Sequence, residues 1–519
     1  MLSGGRSQSS RGRSRFNTVH RFQHNLPQYG SCDMVFTSVT GHLMELEFKD
    51  PGTKGWNSCD PATLFDTEVE KYVPEDKLET KANLVDLARQ CAVLVLWLDC
   101  DREGENIAME VVQVCQEVNA SIEVRRARFS ALTLADLLHA CNNLDTVNQG
   151  DSDAVDARQE IDLRSGAAFT RFQTLLLRDR YEGLPSQVLS YGPCQFPTLG
   201  FITDRWLDVQ SFVPEPFWTL KCVVTAQNQE EEGRAAAQSV TFGWARGNGR
   251  VFDRTLAVVL LAQCTAAGHG IVTKADGRQK SKWAPVPLAT VELQKRCSRY
   301  LRISSAETME IAEKLYQSGV MSYPRTETDQ FPQTMNLQEL VRIQTGSSDG
   351  SIAQYANGLL AGGSNNMRRP RDGGHNDKAH PPIHPTAIPT QTLQGNAKKI
   401  YDFVTRHFLA CVSHDAQGQA SEVHLDIASE RFVAKGSMVT EKNYLEIYPW
   451  EKWSNHTIPT FQVNENIVPA SLTVEQSSTQ SPGYVTEADL IALMDKEGAR
   501  DWVHVDAMSM NADATSPAE

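Results

Sequence analysis

Between about residues 84 and 145, short apolar runs alternate with stretches of helical spacing. "CAVLVLWLD" (91–99) is continuously apolar and predicts a buried strand. "ENIAMEVVQVCQEV" (105–118) repeats at helical spacing, "IEVRRARF" (122–129) returns as a strand, and "TLADLLHACNNL" (133–144) as a helix. Thr133 and Asp136 stand where the side chains of a helix start would. This βαβα order predicts an open α/β sheet whose sites lie at the C-terminal strand ends. Residues 151 to about 207 read as helical. From 216 to 275 the period becomes that of strands, in "PFWTLKCVVTA", "SVTFGWARG" and "GIVTKADG", and it returns at 421–439 in "SEVHLDIASERFVAKGSMV". The block between is helical, with Ser304 and Glu307 opening "AETMEIAEKLYQSG" and Gly319 closing it. A β region split around a helical block predicts one domain inserted into another. Residues 361–378, "AGGSNNMRRPRDGGHNDK", read as a flexible loop.

Composition narrows the class. A chain of 519 residues with 40% hydrophobic and 22% charged positions is an ordinary globular protein of several lobes. No run reaches the roughly 18–20 apolar residues of a membrane span. The 11 cysteines include no CxxC pair, which excludes zinc-ribbon spacing and a disulfide framework and predicts reduced thiols. A net charge of −14 excludes a uniformly basic surface but not local basic patches. Arg6, Arg11, Arg13, Arg15 and Arg21 precede the first acid. That start is read as a plain disordered tail, with a mitochondrial transit peptide as the alternative.

Four patterns carry candidate chemistry. In "SYPRTETDQFP" (322–332), Pro324 restrains Tyr323 to extended backbone. The pair is either a simple turn or a held phenol nucleophile, with Arg325 placed to grip a phosphate. In "LWLDCDREGEN" (96–106), Asp99, Asp101 and Glu103 follow the apolar run at i, i+2 and i+4. Extended backbone would put all three on one face, a crowding that magnesium would relieve. The alternative is an acidic loop capping the next helix. In "AHPPIHPT" (379–386), the prolines argue against a helical zinc pair, leaving a single imidazole as a phosphate partner or the whole as a rigid turn. Arg164, Arg171 and Arg178, seven apart, form either a solvated basic face or a rail for a phosphate backbone.

Together these motifs resemble the type IA DNA topoisomerases, specifically the eukaryotic topoisomerase III group of the alpha type. The residues that carry the resemblance are "LDCDREGEN", "RARFS" (126–130), "VDARQEIDLRSGAAFTRFQT" (155–174), "SYGPCQFPTLG" (190–200), "GVMSYPRTETD" (319–329), "AHPPIHPT" and "TEADLIALM" (486–494), in family order over roughly residues 16–497. The resemblance implies an α/β Toprim domain joined to α and β lobes in a multi-lobed toroidal core. It divides the chain into a Toprim domain (1–150, first strand missing) and a helical DNA-binding lobe (151–213, continued at 482–519). A strand-rich gate (214–283 and 417–481) and an inserted helical domain with the tyrosine (284–416) complete it.

The resemblance also implies the reaction. Tyr323 would cleave a single strand, leaving a 5′-phosphotyrosine and a free 3′-hydroxyl; another strand passes and the hydroxyl reseals the break, without ATP. Arg325 and His380 would act on the scissile phosphate, and Asp99, Asp101 and Glu103 would hold magnesium or position the hydroxyl. Arg164, Arg171, Gln195 and Thr198 would bind single-stranded DNA. A RecQ-type helicase and an OB-fold accessory protein are the implied partners, recombination intermediates the implied substrates, and the nucleus the implied compartment, with the mitochondrion as second.

The chain departs from the family pattern at both ends. No hydrophobic strand ending in Glu-Lys-Pro stands before Phe16, the stretch from Ala499 loses the resemblance, and cysteine-rich C-terminal modules are missing. The expectation is a chain clipped at both ends that binds single strands but turns over poorly. Two competing readings remain: a DNA-binding or helicase-partner protein without turnover, and another Toprim enzyme such as a nuclease or primase, against which the full tyrosine motif argues.

Overall fold

The computed structural model describes residues 2–14, 17–178, 180–181, 188–227, 237–362 and 367–497. The stretch from Ala499 and the expected continuation of the helical lobe past residue 497 lie outside them.

The α/β region forms where the period predicts it. Strand Val93–Leu96 pairs in parallel with Glu123–Arg126, joined by the helix Arg102–Gln116. That helix turns Ala108, Val111, Val114 and Cys115 into a core with Leu84 and Leu96. Among the described residues Val93–Leu96 has a strand partner on one side only, and Val93, Leu94 and Val95 stay half-buried. The arginine-rich start corrects the sequence reading. It is not a disordered tail: Gln8–Arg11, Thr18–Leu26 and Gly30–Phe36 make an antiparallel sheet in that order. His20, Phe22, His24 and Leu26 share one face of the middle strand, a period of two that histidines disguise as polar.

The helix Gln149–Leu177 packs along Arg102–Gln116 and against the segment Pro61–Phe65. The helix Gln195–Ser211 follows, and Glu487–Lys496 packs on it. The strand-rich segments join in one antiparallel sheet of order Asn466–Ile467, Gly270–Lys282, Ala416–Ile427, Glu430–Glu441, Ala237–Trp244, Pro216–Gln227, Ser471–Ser478. Leu220, Phe242, Val272, Leu425 and Phe432 fill its inner face. The block inserted between two of its neighbouring strands, Gly270–Lys282 and Ala416–Ile427, is helical. Its centre is Gly395–Cys411, whose Ile400, Phe403, Val404 and Leu409 are fully buried against Leu293, Leu315, Val341 and Ile352. No helix among the described residues is long and apolar enough to cross a membrane.

Candidate active site

The site forms where the inserted block meets the C-terminal end of Val93–Leu96. Ser304 caps the helix Ser305–Gln317 by accepting from the Glu307 N–H at 3.2 Å, and Gly319 ends it at φ +76°. The chain then runs extended across the opposing loop. Ser322 N–H donates to His384 O at 3.0 Å, and Tyr323 N–H to Ser130 O at 3.1 Å. Tyr323 is thereby sealed between two domains, with 3% of its surface exposed.

On the opposite side a short loop leads from Leu96 into the helix Arg102–Gln116. Asp101 is the helix cap, with Oδ1 accepting from the Gly104 N–H at 2.7 Å. Gly104 is required there, because a Cβ would lie 2.0 Å from the Asp99 carbonyl oxygen. Arg126, fully buried, holds this loop from beneath. It donates to the carbonyls of Leu98 (2.8 Å) and Asp99 (2.7 Å) and pairs with buried Glu105 at 2.9 Å. The motif "RARFS" contains Arg126, but nothing in its spacing reveals that it supports the acid loop.

The two sides meet through two tyrosines. Tyr323 Oη donates to Asp101 Oδ2 at 2.6 Å, and Tyr316 Oη donates to Asp99 Oδ1 at 2.9 Å. Their rings pack edge to face at 5.2 Å, beside Cys100, Ala127 and Phe129. Burial, followed by the charges of Asp101 and Asp99, pushes the Tyr323 pKa well above its ordinary value. Burial likewise raises Asp99, with the Tyr316 hydrogen bond opposing and Asp101 adding to the rise. Tyr316 belongs to this site, and the sequence reading did not single it out.

His380 packs against Tyr323 with its ring tilted by 38°, ring centroids 4.4 Å apart. Its Nδ1 is 3.1 Å from Ser130 Oγ, while Nε2 is buried with no hydrogen-bond partner. Burial drives its pKa down to about 4, so the ring is neutral at pH 7. Arg325, mostly buried, donates from Nε to Glu313 at 2.7 Å. His384 is structural: Phe331 and Phe408 pack against it, and its Nδ1 is 2.6 Å from Pro382 O.

The acidic triad does not converge as alternation in a strand predicts. The helix begins at Arg102, so Glu103 is rotated away. It bonds instead to His42 Nε2 (2.8 Å) and Arg158 (2.7 Å), which hold its pKa low although burial alone would raise it. Among the described residues no group of three His, Cys, Asp or Glu side chains is placed to hold one metal ion. In this arrangement Glu103 stands apart from Asp99 and Asp101, held by His42 and Arg158. Asp99 and Asp101 do fit as a pair of hard oxygen donors whose mutual repulsion a cation would relieve.

Two of the expected DNA contacts are engaged inside the protein. Arg164 turns inward, donating from one nitrogen to the carbonyls of Leu64 (2.9 Å), Phe65 (2.9 Å) and Thr67 (2.7 Å) and pairing with Glu160. Thr198 is buried, donating to Cys194 O at 2.7 Å beside the Met494 sulfur. Arg171 reaches Gly55 O at 3.3 Å, and Gln195 is exposed at the N-terminus of its helix. The reason is tertiary: the face bearing these arginines is covered by residues 55–67.

The sequence model of the DNA topoisomerase family matches residues 146–499, and that of the Toprim domain, a metal-binding domain, matches residues 12–132. The chain belongs to the type IA DNA topoisomerases. DNA topoisomerase 3-alpha of Arabidopsis thaliana is 47% identical over 506 residues, covering 96% of this chain and 53% of that protein. DNA topoisomerase 3-alpha of Homo sapiens is 46% identical over 500 residues, 96% of this chain and 48% of that protein. This type IA chain thus spans about half the length of those two relatives. It covers 78% of DNA topoisomerase 3 from Schizosaccharomyces pombe, at 42% identity. The full-length topoisomerase I of Thermotoga maritima shares the fold, with a TM-score of 0.66 at 21% identity over 88% of this chain and 70% of that one.

Proposed function

We propose that this chain is the DNA-breaking and resealing core of a type IA topoisomerase of the 3-alpha type, with Tyr323 as nucleophile. The observation that carries the reading is the Tyr323 hydroxyl, buried and donating to Asp101 at 2.6 Å, beside a neutral imidazole whose Nε2 has no partner. Tyr323 Oη attacks a phosphorus of single-stranded DNA. The Oη–P bond forms, the P–O3′ bond breaks, and the phenol proton passes to Asp101. The 3′-oxygen leaves as a hydroxyl with the proton that Asp101 received, so that the carboxylate is regenerated. Resealing runs the same steps backwards, so no ATP is consumed. His380 Nε2 and the Arg325 guanidinium stabilise the charge growing on the phosphate oxygens. Magnesium would sit on Asp99 and Asp101 and neutralise charge there.

Tyr323 is sealed under the interface, so the inserted block has to lift before a strand enters. Gln195 and the N-terminus of its helix lead the strand in, with Arg171 alongside, while Arg164 and Thr198 hold the lobe together. The resemblance further supports a nuclear protein acting on recombination intermediates with a RecQ-type helicase and an OB-fold partner. The test is covalent capture of a 3′-labelled oligonucleotide. Tyr323→Phe should abolish the adduct while oligonucleotide affinity stays within about twofold, since one hydroxyl carries little contact area. An adduct at the parent level would end the assignment.

A further inference from the structure

Ser130 makes contact with both halves of the site. Its carbonyl accepts from the Tyr323 N–H at 3.1 Å, and its hydroxyl lies 3.1 Å from His380 Nδ1 and 3.4 Å from Ala379 O. It belongs to the Toprim region, whereas Tyr323, Ala379 and His380 belong to the inserted block. The hydroxyl has one proton and two neighbours able to accept it.

We propose that Ser130 is a positioning residue that sets the tautomer of His380, an inference that rests on the Tyr323 reading above. His380 is neutral, so one ring nitrogen carries the proton and the other does not. An ionised phosphate oxygen accepts hydrogen bonds and offers none, so only an Nε2–H can serve it. Nδ1 is then bare, and the group that can donate to it is the Ser130 hydroxyl at 3.1 Å. The 3.4 Å contact to Ala379 O is the weaker of the two and is the one released. Among the described residues no other hydrogen-bond partner of the His380 ring is found, and Nε2 is buried without one.

The ring is further held by its backbone. His380 N–H and Ala379 N–H both donate to Asp377 Oδ1, at 2.9 and 2.8 Å, while Asp377 also accepts from Thr326 Oγ1 and Thr328 Oγ1 at 2.9 Å each. The backbone of residue 380 is thus fixed by Asp377, and the choice of ring proton falls to Ser130. Because Ser130 lies across the interface, the tautomer is imposed only while the inserted block is closed. An open site would release His380 from this constraint, and closure on a strand would restore it. Breakage is thereby tied to the closed state.

The test uses the full chain with a saturating 3′-labelled oligonucleotide, reading the single-turnover rate of adduct formation and the oligonucleotide Kd separately. Ser130→Ala is expected to slow the rate about 10-fold, the low end for losing a partner that orients a functional histidine, with Kd changed less than about twofold. Ser130→Thr, which keeps the hydroxyl, should return the rate to within about twofold of the parent. The decisive comparison is with His380→Ala: if Ser130 acts through the imidazole, adding Ser130→Ala to that variant produces no further loss. A parent-level rate in Ser130→Ala, a failed Thr rescue, or losses that multiply in the double variant would each overturn the proposal. If Ser130→Ala melts early, Ser130→Cys, with its weak S–H donor, is read instead. It should fall between parent and His380→Ala, and a parent-level rate overturns the inference. If the parent itself forms no adduct, the Tyr323 reading fails first and the role of Ser130 fails with it. Capture by the parent alongside an indifferent Ser130→Ala removes only the Ser130 role.

Discussion

Tyr316 and Tyr323, seven residues apart on one segment, donate to Asp99 and Asp101, two residues apart on another. The inserted block is therefore held on the Toprim region by two phenol–carboxylate bonds, of 2.9 and 2.6 Å, across more than 200 residues of chain. Such bonds to charged acceptors are worth about 1.5–3 kcal/mol each. They close the site and mask it.

Tyr316→Phe should weaken this closure without touching the nucleophile. Asp99 loses the donor that opposes its burial, so its pKa should rise further. Hydrogen exchange is expected to quicken at residues 97–103 and 318–325, by about 10-fold or more for a loss of about 1.5–3 kcal/mol, and to stay unchanged in Ala416–Ile427. Unchanged exchange at both segments would show that Tyr316 does not hold the interface.

The two aspartates and Glu103 should separate when magnesium is titrated. Replacing Asp99 and Asp101 together by Asn removes the two hard oxygen donors that lie beside the nucleophile, so the magnesium dependence of resealing should weaken. Glu103→Gln leaves that pair intact and breaks the contacts to His42 and Arg158. Its magnesium midpoint should match the parent. An equal shift in both variants would place Glu103 among the ligands after all.

Arg164→Ala tests the inward-turned arginine. Three carbonyls of residues 64–67 lose their donor, and Glu160 loses its partner. The melting temperature should fall, by a stability loss of about 1–3 kcal/mol, with the salt slope of oligonucleotide binding unaltered. A slope lowered by about one, at constant stability, would instead make Arg164 a phosphate contact.

Acid should destabilise the inserted block early. Burial pushes His384 down to about 4 and His407 down to about 3. Both are neutral when folded, while the unfolded chain takes up protons below its ordinary value of about 6.5. Stability is therefore full above pH 6.5 and falls as pH drops, until the folded values are reached. The slope is about 1.4 kcal/mol per pH unit for each histidine. Melting temperature against pH reads it, and His407→Gln should lessen the slope between pH 4 and 6.5, with the contributions of His384 and His380 remaining. A curve flat over that range in the parent would contradict the buried-neutral assignment.

Whatever neighbouring residues decide is legible along the chain. Apolar period placed the strand ending at Leu96, the helices Arg102–Gln116 and Ser305–Gln317, and the split antiparallel sheet, because burial on one face fixes spacing. Motif spacing set Tyr323 apart, since a Tyr-Pro-Arg run restricts backbone and carries its own chemistry. The N-terminal strands were missed because His20 and His24 hide an alternation that packing completes. Tertiary structure decided which way side chains at correct positions point. Asp101 caps a helix, so Glu103 falls in the helix's first turn and no longer follows the strand period, and it pairs with His42 from a segment 61 residues away. Arg164 lies on the predicted helical face, yet a loop 97–100 residues earlier covers it. The motif "RARFS" marks Arg126 and Ser130 without telling what they do, and Tyr316 stands in no motif. Their roles exist only where two distant segments meet, and a one-dimensional period contains no information about such a meeting.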